Sequence, residues 1–109
     1  MFNLFSSETK AYKNLNGKEF KEEYKNAEKP LLIDVRTPGE FYSRTIPGSQ
    51  NIDIMSPSFK NAIGKLDNES EYFIFCRSGN RSAQACSTMS KEGYKVTNLK
   101  GGIGEWPLK

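Results

Sequence analysis

Tyr72-Phe73-Ile74-Phe75-Cys76-Arg77-Ser78-Gly79-Asn80-Arg81-Ser82 is the stretch that decides how this chain folds. Its first four residues are bulky, apolar and strand-like and run directly into Cys76, so the loop that follows joins a buried strand to a helix. Arg81 to Glu92 then reads as a helix that turns Ala85, Cys86 and Met89 inward and closes at Gly93. A strand passing through a short polar loop into a helix is half of a βαβ unit, and in such sheets ligands gather beyond the carboxyl ends of the strands. Cys76 stands at one of those ends.

Working outward, Leu31-Leu32-Ile33-Asp34-Val35 is a second nearly unbroken apolar run and is expected to be the central strand. Thr37-Pro38-Gly39-Glu40 supplies a cap, a proline at N1 and an acid at N3, predicting a short helix through about Ser43. Upstream, Asn16 with Glu19 three residues on, and Leu15 with Phe20 as a hydrophobic staple, predict a helix from about Gly17 to Asn26 that buries Phe20 and Tyr24. Ile46-Pro47-Gly48 is turn chemistry, followed by a strand over Gln50 to Ile54. Ser56-Pro57 opens a further helix with Phe59, Ile63 and Leu66 on one face, and Lys95 to Leu99 completes the sheet before Gly101-Gly102. The expectation is an α/β domain with a central parallel sheet of about five strands flanked by helices on both faces. Residues 1–12 read as a flexible tail and 13–109 as the domain.

At 109 residues there is room for one domain. Histidine is absent, which removes the commonest general base, the Ser/His and Cys/His nucleophile pairs and every His-containing metal site. Two cysteines are too few for a four-sulfur zinc site or a secreted disulfide scaffold, so a reduced, cytoplasmic protein is expected. The opening Met-Phe-Asn-Leu-Phe-Ser-Ser lacks the basic start of a secretory signal, and no apolar run approaches the roughly 18 residues that cross a bilayer. Sixteen Lys+Arg against thirteen Asp+Glu give a net charge of +3, with lysines and glutamates mixed over Lys18 to Lys29. That is a solvated helix face rather than a nucleic-acid patch.

The chemistry centres on Cys76. A loop curling around its sulfur aims successive backbone N–H groups at it, and the helix that follows presents the positive end of its dipole. With Arg77 and Arg81 nearby, the thiol is expected below its ordinary pKa and needs no base. Gly79 permits a positive φ or a close backbone approach, and the two guanidiniums suit an anionic substrate. No metal or organic cofactor is implied. Cys86, beside Ala85 and Met89, reads as core packing, Asp34 and Arg36 as a structural ion pair, Glu40 as a cap acid, and Trp106 as a lid on the core.

These residues carry a resemblance to the single-domain rhodaneses, the sulfurtransferase family. L-L-I-D-V-R-T-P-G-E-F followed by I-P-G-S-Q-N-I resembles that family's first signature, F-C-R-S-G-N-R-S its active-site loop, and Leu99-Lys100-Gly101-Gly102-Ile103 with Trp106 its closing signature. The three motifs stand in the proper order over about Leu15 to Trp106. The resemblance implies that Cys76 takes a sulfane sulfur from a donor such as thiosulfate or a persulfide and passes it, through a Cys76 persulfide, to cyanide or a thiol. It puts Arg77 and Arg81 on the anionic donor, and the backbone of Ser78, Gly79, Asn80 and Ser82 around the transferred sulfur. Implied partners are the small donor and acceptor, with a protein persulfide or thioredoxin-like protein as a relay and a monomer or weak dimer as the assembly. A cysteine-dependent phosphatase or arsenate reductase is an alternative enzyme class, although Cys76 and Arg81 show the C-x4-R spacing of sulfurtransferases rather than the C-x5-R of phosphatases. A non-enzymatic sulfur carrier or partner-binding module is the other. Arg44-Thr45 departs from the usual Gly-His, and Ser49 from the usual Ala.

Overall fold

The computed structural model describes residues 12–108. Strand β1 covers Lys13–Leu15, and helix α1, Gly17–Asn26, begins where the Asn16 side chain accepts the Glu19 N–H at 2.9 Å. Strand β2 is Pro30–Asp34, and α2, Pro38–Ser43, opens on a reciprocal capping box between Thr37 and Glu40. Then follow β3 (Gln50–Asn51), α3 (Phe59–Ile63), β4 (Glu71–Phe75), α4 (Asn80–Lys91), β5 (Lys95–Leu99) and a 3-10 turn at Ile103–Glu105.

All five strands are parallel, in the order β1-β5-β4-β2-β3. The register sets Asp34 opposite Phe75, and Ile74 opposite Asn98, so β2, β4 and β5 end almost level. The loops that leave them therefore converge at one edge, and Cys76 is in the middle one. The central strand is β4, not the Leu31–Val35 run as expected. Both runs are apolar enough to be buried, and only the long-range pairing decides which lies inside. Tyr72, Phe73, Ile74 and Phe75 each have 0% exposed surface, as the middle of a covered sheet requires.

Helices cover both faces. On one, α3 and α4 pack Phe59, Ile63, Ala85, Cys86 and Met89 against Ile33, Ile74 and Val96. On the other, Phe20 of α1 meets Phe73 edge-on at 5.5 Å and Trp106 at 6.1 Å, with Tyr24 making similar contacts to both rings. Trp106 is thus a half-buried lid on this second cluster, in the place its neighbouring glycines suggested.

Three elements differ from expectation. Strand β1 was not foreseen; it is three residues long, largely exposed, and paired only to β5. The expected strand Gln50–Ile54 stops at Asn51. The Ile52 and Ile54 amides still bond the carbonyls of Asp34 and Val35, but the Asp53 carboxylate accepts the Met55 N–H at 2.8 Å and turns the chain. Helix α3 starts at Phe59 rather than near Ser56, because the Ser56 hydroxyl accepts the Ser58 N–H in a local turn that competes with helix. The expected tail lies outside the described residues except for Tyr12, which packs against the α3/α4 cluster. Among the described residues, no helix is long and apolar enough to cross a membrane.

Candidate active site

After Phe75 the chain leaves the sheet, turns through Cys76 to Gly79 and enters α4 at Asn80. Gly79 has φ +96°, and a Cβ built there would lie 2.9 Å from the Gly101 amide nitrogen, so both its conformation and its surroundings demand glycine. The turn brings donors onto the sulfur. Cys76 Sγ accepts the Gly79 N–H at 3.1 Å, the Ser82 N–H at 3.3 Å and the Ser82 hydroxyl at 3.3 Å. Burial pushes this thiol up, but the Ser82 hydroxyl and the amides of Ser82, Ser78 and Gly79 outweigh it, and the pKa falls below the ordinary thiol value. The first turn of the twelve-residue helix α4 supplies the Ser82 amide, so its dipole acts in the same direction. An anionic sulfur is stabilised here without imidazole.

The sulfur faces the amides, and Cys76 has 0% exposed surface, whereas attack on a sulfur–sulfur bond needs an accessible thiol. The loop that donates to the sulfur also closes over it. Arg77, Ser78 and Asn80 of that loop are themselves exposed. Arg81 does not project freely into solvent. It makes a bidentate pair with Glu40 at 3.0 and 3.1 Å, which raises the guanidinium pKa. The same pair holds the Glu40 carboxyl at about 2, against a smaller opposing effect of burial. Glu40 is therefore more than the cap acid it was expected to be, since it also ties α2 to the Cys76 loop across 41 residues of sequence.

Asp34 and Arg36 do form the expected ion pair, with Arg36 Nε 2.9 Å and one terminal nitrogen 2.7 Å from the carboxylate. Thr45 donates to Asp34 Oδ2 at 2.9 Å, so the residue that departs from the usual histidine of the motif bonds this ion pair. Arg44 offers its carbonyl to Arg36 and turns an exposed side chain toward a cleft it shares with Arg77. Two further contributors carry no motif-level signal as side chains. Asn98, buried in β5, donates to the Gly79 carbonyl at 3.3 Å and steadies the peptide whose neighbour reaches the sulfur. Gly102 has φ +87°, and a Cβ there would lie 2.0 Å from the Arg77 carbonyl oxygen. Of these two, Gly102 was visible only as part of the closing signature. Cys86 is buried in the same apolar cluster as Cys76, and burial drives its thiol far upward.

A parallel α/β domain that sets a cysteine sulfur against two main-chain amides and a serine hydroxyl at the end of its central strand is defined by the geometry alone. Comparison with known proteins gives that class its family. Residues 16–109 match the rhodanese-like domain. A sulfurtransferase from Allochromatium vinosum is 35% identical over 82 residues, covering 74% of this chain and 75% of the relative. YtwF of Bacillus subtilis, a candidate sulfurtransferase by name, is 33% identical over 94 residues and covers 86% of this chain and 89% of its own. Among solved structures, a rhodanese-related protein from Thermoplasma volcanium superposes with a TM-score of 0.76 at 30% identity, over 87% of this chain and 90% of that one. This chain belongs to the rhodanese-like sulfurtransferase family. Longer relatives include YrkF of Bacillus subtilis, a candidate sulfur carrier by name, of which the chain covers 48%, and MoeZ of Mycobacterium tuberculosis, named as an adenylyltransferase/sulfurtransferase, of which it covers 23%.

Proposed function

We propose that this protein transfers sulfane sulfur through a persulfide on Cys76. The observation that carries the reading is the set of three hydrogen bonds to Cys76 Sγ, which favour the nucleophilic anion in a chain without histidine. With thiosulfate as donor, the Cys76 thiolate attacks the outer sulfur, the sulfur–sulfur bond breaks, and sulfite leaves with the electron pair. The product is Cys76-S-S⁻. Cyanide or a thiolate then attacks the outer sulfur, takes it as thiocyanate or a new persulfide, and returns Cys76 to the thiolate.

In this cycle the amides of Ser78, Gly79 and Ser82 stabilise first the thiolate and then the persulfide anion, with Asn80 completing the loop. Exposed Arg77 meets the anionic donor. Arg81 acts through Glu40, fixing the start of α4 so that the Ser82 donors stay on the sulfur. Because Cys76 has no exposed surface, each transfer requires a local opening of the loop over residues 77–80.

The test is incubation with thiosulfate followed by mass spectrometry. One added sulfur on the peptide that holds Cys76, removed by cyanide with release of thiocyanate, is expected. No adduct and no thiocyanate would overturn the reading, and turnover of a phenyl phosphate instead would move the protein to the phosphatase class. The enclosed sulfur favours a second reading, a carrier whose loop opens for a protein relay partner. Adduct formation with very slow turnover of thiosulfate and cyanide is its signature.

A further inference from the structure

We infer that Arg44 and Arg77 form an anion subsite that selects carboxylate-bearing thiols as acceptors of the sulfur. The inference deepens the sulfurtransferase reading and rests on it. It begins with charge pairing around the Cys76 loop. The Arg36 guanidinium is spent on Asp34, and Arg81 on Glu40. Neither Arg44 nor Arg77 makes an ion pair or side-chain hydrogen bond among the described residues, and both are exposed. Yet both line one cleft of about 510 Å³, together with Ser43, Glu40 and Ile103. Two guanidiniums without counter-ions in one concave site, with the nearby carboxylate already neutralised, leave a local excess of positive charge.

Size and position indicate which substrate uses it. The cleft falls in the range of small-molecule sites, and a thiosulfate ion would fill only a small part of it. It borders the chain on both sides of the nucleophile, since Arg77 follows Cys76 and the Ile103 N–H donates to the Cys76 carbonyl at 2.8 Å. Cys76 itself does not line it. A molecule seated there must therefore place its charge in the cleft and reach the sulfur with a separate part of its structure. A thiol carrying two carboxylates does this, and guanidinium forks bind carboxylates in a bidentate geometry that lysine does not reproduce. A second cavity of about 270 Å³ shares Arg44 and Ile103 and continues toward Trp106, which puts Arg44 at the junction and gives a longer thiol room to extend. The transfer is balanced: the acceptor thiolate attacks the outer sulfur of Cys76-S-SH, the sulfur–sulfur bond to Cys76 breaks, and the acceptor leaves as a persulfide while Cys76 keeps the electron pair as thiolate.

The experiment compares mercaptosuccinate, 2-mercaptoethanol and cysteamine as acceptors for the wild-type protein, Arg44→Ala and Arg44→Glu. Ratios of variant to wild type for the same thiol cancel differences in intrinsic nucleophilicity. Arg44→Ala is expected to raise KM for mercaptosuccinate about five- to tenfold, with kcat and the 2-mercaptoethanol KM within about twofold. Arg44→Glu should raise the mercaptosuccinate KM further and lower that of cysteamine. The KM for thiosulfate, a smaller anion that meets Arg77 without reaching Arg44, should stay within about twofold in Arg44→Ala, and a rise matching that of mercaptosuccinate would overturn the assignment by giving the whole cleft to the donor. An unchanged mercaptosuccinate KM in Arg44→Ala also overturns it. Succinate, which has no sulfur, separates this inference from the reading beneath it. Calorimetry should show succinate binding to the wild type and much weaker binding to Arg44→Ala, whether or not a persulfide forms; no binding to the wild type would sink the subsite alone.

Discussion

Cys76 and Cys86 sit ten residues apart in one apolar cluster, each with 0% exposed surface, and their thiols are driven in opposite directions. Burial raises both. At Cys86, in the second turn of α4, no donor among the described residues reaches the sulfur, and desolvation stands almost alone. At Cys76 the chain has just left β4, so the amides of the loop and the first turn of α4 point inward at the sulfur instead of bonding to carbonyls. Accessibility therefore does not distinguish these thiols. What separates a nucleophile from a packing residue here is the supply of unspent main-chain donors, which a strand end followed by a helix start provides and a helix interior does not.

The sharpest way to break this contrast is to exchange the thiols' fates. Cys76→Ser should abolish the sulfur adduct and all sulfur transfer, while Cys86→Ser leaves both, as read by mass spectrometry and thiocyanate release. The reverse result would mean that the amide ring is not the origin of reactivity. Next in size is Gly102→Ala. Its Cβ would press on the Arg77 carbonyl at 2.0 Å in a backbone region that strains alanine, so a loss of about 3 kcal/mol or more in urea unfolding is expected, together with loss of activity. Any residual fold should keep Cys86 packed, because the collision lies at the loop and not in α4.

A smaller and more informative change is Ser82→Ala. It removes one hydroxyl donor to an anionic sulfur and keeps the Ser82 amide, which is worth about 1.5–3 kcal/mol, or one to two pKa units at Cys76. Sulfur-transfer rate at neutral pH should fall about tenfold and recover as pH rises. A rate lost equally at all pH values would assign the hydroxyl to something other than thiolate stabilisation. Glu40→Gln should cost least, about 1 kcal/mol, since the pair with Arg81 is partly exposed. The Glu40 pKa is depressed from 4.5 to about 2, so its contribution is fully present above about pH 4.5 and disappears as pH falls through 2. The wild type should accordingly lose its advantage over Glu40→Gln across that acid interval, as followed by urea denaturation at stepped pH.

Much of this arrangement was legible because its signals are local. Asn16 with Glu19, and Thr37 with Glu40, lie within one helical turn of each other, and both caps form where the residues stand. The strand–Cys76–helix sequence likewise states its own geometry, including the need for glycine at position 79. What escaped depends on residues far apart in the chain. Strand β1 exists only because β5 is there to receive it, and the central place of β4 over β2 follows from pairing that no short window contains. The bond from Glu40 to Arg81, and the bond from Asn98 to Gly79, join elements brought together only by the finished sheet. The closure over Cys76 is of the same kind, since the length of the loop is visible in sequence but the way it folds back on its own sulfur is not.

The measurement that bears most directly on the central claim is the pH titration of thiolate ultraviolet absorbance in the folded wild-type protein, Cys76→Ser and Cys86→Ser. One thiol should ionise below the ordinary thiol range, vanish in Cys76→Ser and persist in Cys86→Ser, with the other remaining protonated until far higher pH or unfolding. Two thiols titrating together near the ordinary value, or a low-pH transition that survives Cys76→Ser, would contradict it.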